Sequence, residues 1–153
     1  TYSSLGQSDL AIEEYNNTLT IRPDDLAAHV NLAIVLSNEK QYDLAIKHYK
    51  EALVIDPYQP SVLNNLAMLY ATIPDGNRKE AIALAEKACQ LTHNNSPDLL
   101  CTLSIAYASE NKFSEAISTV TKAIEILSGT ANQQKLKHAQ GLLDMYESGK
   151  TMQ

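Results

Sequence analysis

Small and apolar residues return at a fixed interval along this chain. The segments DLAIEEYNNTLTIRPDD, DLAIKHYKEALVIDPYQ, EAIALAEKACQLTHNN and EAISTVTKAIEILSG superimpose when Ala11, Ala45, Ala81 and Ala116 are aligned, at spacings of 34, 36 and 35 residues. Seven residues after each alanine stands another small side chain, Thr18, Ala52, Ala88 or Ala123. Seven residues is two helical turns, so each pair shares one helix face, and small side chains there let two helices approach closely. The period predicts one helical hairpin per repeat. Proline punctuates it: Pro23 and Asp56-Pro57 close two of the segments, because proline lacks an amide hydrogen and disfavours helix in the residue before it.

The third segment departs from the pattern in two ways. TIPDGNRKE separates its helices by a turn two residues longer than in the preceding repeat, with Asp75-Gly76 as the turn signal, and is expected to protrude. His93 stands where a terminating proline is expected, and Ser96-Pro97 reads instead as an N-cap followed by proline in the first helical position. From about residue 131 to 147, Leu136, Ala139, Leu143 and Tyr146 form one stripe while Lys135, Lys137, Gln140 and Asp144 face elsewhere. That is a capping helix, which covers the apolar end of a stack and is itself ended by Gly149.

These residues resemble the tetratricopeptide repeat, a 34-residue helix-turn-helix unit. Leu32, Ala33, Leu36, Tyr42, Ala45, Tyr49 and Ala52, with Asp56-Pro57, carry the resemblance best, and Leu103, Ser104, Tyr107, Phe113, Ala116 and Ala123 repeat it. The resemblance implies an all-α fold, a right-handed α-solenoid (superhelix) of antiparallel helix pairs. It divides the chain into a partial unit at 1–25 holding the end of one helix and a second helix, units at 26–59, 60–95 and 97–130, and the capping helix at 131–147. Residues 60–150 are also similar to carboxyl-terminal repeat arrays of bacterial proteins, some of which follow a membrane glycosyltransferase domain. That likeness implies a larger parent, membrane-anchored in some of those proteins, leaves a cytoplasmic and a periplasmic compartment both open, and adds an alternative function as a substrate-positioning or regulatory arm of the parent.

Ligand contacts in this family lie on the first helix of each unit, facing the concave side. By resemblance the second unit offers Ala27, Val30, Asn31, Ile34, Ser37 and Asn38. The third offers Ser61, Asn64, Asn65, Met68, Ala71 and Thr72, and the fourth Asp98, Cys101, Thr102, Ile105, Ala108 and Ser109. Such a groove is almost free of charge, which argues against the family's basic clamp for carboxylates. Asn31 and Asn65 match a ladder of asparagines that grips peptide backbone, interrupted by Thr102, with the alternative that both simply face water. Each rung contributes only about 1 kcal/mol, so affinity rests on Val30, Ile34, Met68 and Ile105, at roughly 25 cal/mol per Å² of apolar surface buried.

Composition narrows the function classes. The net charge of −6 without clustered Lys or Arg argues against nucleic acid and membrane surfaces as partners. His29, His48, His93 and His138 are scattered, and no HExxH, GxSxG, GxGxxG or phosphate-loop sequence occurs. His29 reads as a histidine packed between helices. Glu13, Glu14, Glu51, Glu86 and Glu125 read as solvated outer-face charges, and Cys89 and Cys101 as buried reduced thiols. The chain therefore reads as a non-enzymatic protein-interaction scaffold that takes a peptide or helix of a partner, with no cofactor and no metal. Its alternative is a self-assembly module in which the N-terminal edge of the array docks on a second copy.

Overall fold

A computed structural model describes residues 2–149, with side chains from residue 6 onward. Among them are eight α-helices: α1 (Tyr2–Ile21), α2 (Leu26–Asn38), α3 (Tyr42–Ile55), α4 (Pro60–Thr72), α5 (Arg78–Leu91), α6 (Pro97–Ser109), α7 (Phe113–Ser128) and α8 (Gln133–Glu147). Two compact units divide within α4, one ending at Val62 and the other starting at Leu63. In the first unit α2 packs on both α1 and α3. In the second, α5, α6, α7 and α8 pack in sequence order, and α8 also touches α6.

Six of the eight aligned small residues are fully buried, while Ala11 and Thr18 are half-buried. Ala45, Ala52, Ala81, Ala88, Ala116 and Ala123 are all 0% exposed, as are Ala33, Ala67 and Ser104 on the first helices. A larger side chain at any of these positions would push two backbones apart. Around them, Leu32, Tyr49, Leu63, Leu66, Val120 and Tyr146 fill the volume.

The turns explain how helices of these lengths stop. After α2, Lys40 is left-handed (φ 60°), its amide donates to the Ser37 carbonyl, and the Gln41 amide donates to Leu36. Asn111 (φ 59°) does the same after α6, with bonds from Asn111 to Ala108 and from Lys112 to Tyr107. Both are Schellman endings, which satisfy the last helical carbonyls. The end of α5, which the sequence reading hands to Ser96 and Pro97, is a third: His93 and Asn94 are both left-handed, and their amides donate to Gln90 and Cys89. Ser96 and Pro97 start α6 at the N-cap and first helical position, as expected, although the Ser96 hydroxyl makes no capping bond. Asp25, Asn77 and Asn132 do cap, accepting from the amides of Ala28, Glu80 and Lys135.

Two local expectations meet a different geometry. The long turn before α5 folds back rather than standing clear: a Cβ at Gly76 would lie 2.0 Å from the Tyr70 carbonyl oxygen, so only glycine fits without the turn shifting. At the start of the chain α1 runs unbroken from Tyr2 to Ile21, where the sequence reading has the end of one helix followed by a second. Nothing lies within 4 Å of a Cβ built on Gly6, so no packed neighbour holds a turn there.

Candidate functional site

In the second unit, α4, α6 and α8 surround a recess of about 510 Å³. The spacing along each helix explains the lining. Asn64 and Met68 are four apart on α4, and Asp98, Cys101, Thr102 and Ile105 form one stripe along α6. Leu127 closes the recess from the end of α7, while Asn132, Gln134, Lys135 and His138 line it from the first turns of α8. Five residues named from the sequence, Asn64, Met68, Cys101, Thr102 and Ile105, thus meet in one place. Asn65 (half-buried), Thr72 and Ser109 lie outside it, and the hydroxyls of Thr72 and Ser109 donate to their own helices, at Met68 and Ala106. In the other unit, Asn31, Ile34 and Asn38 are exposed on α2 beside half-buried Val30.

Burial separates the lining into floor and wall. Thr102 and Ile105 are only 2% and 4% exposed, so they shape the floor but keep little surface to give a partner. The Thr102 hydroxyl donates to the Asp98 carbonyl at 3.3 Å. Met68 is half-buried and offers more. Asn64 Oδ1 is shielded from solvent and accepts no hydrogen bond from any described residue. An unmatched buried acceptor costs about 1–3 kcal/mol. Asn64→Leu, similar in volume, should therefore raise stability by about 1 kcal/mol in a urea melt.

The wall was not legible from the repeat pattern, since family contact positions stop at the first helix of each full unit. The clue lay in the capping helix: once its apolar stripe packs on α6, its first turns must stand beside the start of α6. Ala139, Leu142 and Tyr146 are its buried face. The Tyr146 hydroxyl lies 3.2 Å from the Ser104 hydroxyl, which itself donates to the Cys101 carbonyl at 2.7 Å. Lys135, expected to face elsewhere, pairs with Asp98 across the mouth. Both side chains are about half exposed, so the pair sets geometry more than it adds stability. The lining is consequently less free of charge than the first helices alone imply.

Titration behaviour gives the site no nucleophile. Burial and the nearby Asp98 push the Cys101 thiol up to about 11, and burial with Glu86 does the same to Cys89. Both stay protonated at neutral pH. Burial likewise pushes Tyr146 up to about 12. Glu86 is not a free outer-face charge: it accepts the Tyr107 hydroxyl at 2.6 Å, tying α5 to α6. Burial and that carboxylate together raise the Tyr107 phenol. Among the described residues no three His, Cys, Asp or Glu side chains gather as metal ligands. No helix among them is long and apolar enough to cross a membrane.

Within each unit, helices packed on their chain neighbours around buried alanines form a helical-repeat fold. Residues 27–59 match the tetratricopeptide repeat family. Solved structures carry the likeness of fold to the whole chain. The crystal structure of MamA aligns with 96% of this chain and 81% of its own, at TM-score 0.73 and 22% identity. TTC0263, a thermophilic tetratricopeptide-repeat protein of Thermus thermophilus, aligns with 95% of this chain and 74% of its own, at TM-score 0.68 and 20% identity. PilF of Pseudomonas aeruginosa aligns with 99% and 73%, at TM-score 0.66 and 20% identity. No curated protein matches in sequence. Repeats of this kind generally serve as protein-interaction scaffolds and are typically not catalytic.

Proposed function

We propose that the chain is a non-catalytic scaffold that takes an extended segment of a partner protein into the recess bounded by α4, α6 and α8. The observation that supports it best is the convergence of Asn64, Met68, Cys101, Thr102 and Ile105 with the polar first turns of α8. The exposed amide of Gln134 can donate and accept, which suits a peptide backbone that presents one of each per residue, and the Asn132 amide nitrogen adds a donor beside its capping oxygen. Met68 supplies the apolar contact, and the covered floor supplies shape. A recess of this size admits a few residues, so affinity must be modest.

The test is a peptide-display selection against the chain, followed by titration of the selected peptides on Met68→Asp. Placing a carboxylate at this contact should weaken binding at least tenfold, about 1.4 kcal/mol, while the helical circular dichroism signal stays unchanged. Peptides that bind Met68→Asp as well as the parent protein would place recognition elsewhere.

A further inference from the structure

His29 on α2 and His48 on α3 meet with their Nδ1 atoms 3.0 Å apart and ring centroids 5.2 Å apart. His29 is 7% exposed, and its Nε2 lies 2.9 Å from the carbonyl oxygen of Pro23, in the turn between α1 and α2. A carbonyl only accepts, so His29 Nε2 carries a hydrogen. A neutral His29 then presents a bare Nδ1, and His48 must hold its own hydrogen on Nδ1 to donate to it. Each ring is thereby set to one tautomer, and two hydrogen bonds link α3, α2 and the turn behind them.

Counting protons shows what this arrangement tolerates. With no proton added, both bonds stand. With one added, either ring is the imidazolium, and both bonds still stand because the shared hydrogen lies between the two Nδ1 atoms. With two added, N–H faces N–H at 3.0 Å, the bond is lost, and two cations repel within one packed contact. An open pocket of about 430 Å³ beside the pair gives solvent protons a route in.

We propose that the His29–His48 contact is a proton-counting latch between α2 and α3, which holds with none or one added proton and opens when both rings are charged. The surrounding groups fit that role. From α3, Lys47 and Glu51 face the pocket with opposite charges; from α1, Asn16 and Thr20 face it and do not titrate. In the turn, Arg22 is already paired with Asp25 at 2.8 Å. Burial, then His29 and Lys47, hold His48 below its ordinary value of 6.5, against a smaller opposing pull from Glu51. The sign follows: the folded state resists a proton that the unfolded chain accepts, so stability is full above about 6.5 and falls as pH drops from there through the lower folded value.

The experiment is an imidazole nitrogen NMR titration of the whole chain from about pH 8 to about 4.5, a window that spans the ordinary histidine range, with amide exchange of α2 and α3 over the same range. At the alkaline end the expected tautomers are Nε2–H for His29 and Nδ1–H for His48. The two rings should take up protons in separate steps. Exchange in α2 and α3, corrected for intrinsic chemistry, should rise at least tenfold as the second proton binds. In His48→Asn the side-chain amide can donate or, flipped, accept, so the link survives either state of His29 and the acid response should shrink below threefold. An undiminished acid response in that variant would overturn the latch. Other tautomers, or two independent single-proton curves in the parent protein, would overturn it even if the variant failed to fold.

Discussion

Tyr146→Ala is expected to destabilise the unit from Leu63 onward by about 3–5 kcal/mol, the usual cost of emptying a large aromatic site. Tyr146 is 2% exposed and among the largest fully buried side chains, so little of the cavity can be refilled from solvent-facing neighbours. It is also the main anchor of α8, with only Leu142 and Ala139 buried beside it. Losing it should release the helix that carries Asn132, Gln134, Lys135 and His138 into the recess. A urea melt followed by circular dichroism measures the first effect, and early tryptic cleavage after Lys135 and Lys137 the second. Tyr146→Phe separates the causes. It keeps the ring and removes only the bond to Ser104, worth about 1 kcal/mol, while Ser104 retains its bond to Cys101. A phenylalanine variant as unstable as the alanine one would mean that the hydroxyl pair, rather than packing, holds the cap.

Ala45→Arg is expected to be at least as damaging to the other unit. Ala45 is 0% exposed on α3, the helix that packs on α2, and it allows no extra atom without moving a backbone. Overpacking alone costs roughly 1–3 kcal/mol, and an unpaired buried charge adds several more. That sum rivals the whole stability of a small unit, typically about 5–15 kcal/mol. Helical signal should fall by the share of α2 and α3, and the NMR signature of the His29–His48 contact should vanish. Ala45→Gly is the control. It removes a methyl group and costs helix propensity of about 1 kcal/mol without a clash. An arginine variant that melts like the parent protein would show that α2 and α3 do not close on Ala45.

The contrast between those two positions also explains what could be read in advance. Ala45, Ala81 and Ala116 encode geometry directly, because a helix pair that must approach closely tolerates nothing larger, and the requirement repeats with the hairpin. Helix ends marked by Pro23 and Asp56-Pro57 were legible for a similar local reason. His29 with His48, Tyr107 with Glu86, and Lys135 with Asp98 were not. Each joins residues 19, 21 or 37 positions apart on different helices, and no single-helix pattern states which polar side chains will face each other. His93 was misread for the opposite reason. A left-handed residue ends α5, and a histidine in that conformation leaves no mark as plain as glycine or proline.

The division of the recess into floor and wall has a consequence for how such a protein diversifies. Cys101, Thr102 and Ile105 are packed into the unit among its alanines, so changing them to suit a new partner would erode the fold at the same time. Gln134, Lys135 and His138 are exposed and contribute nothing to the core. On the proposed reading, partner choice can therefore drift along the first turns of α8 under separate selection from stability, and descendants of one scaffold would differ in what they recognise mainly there.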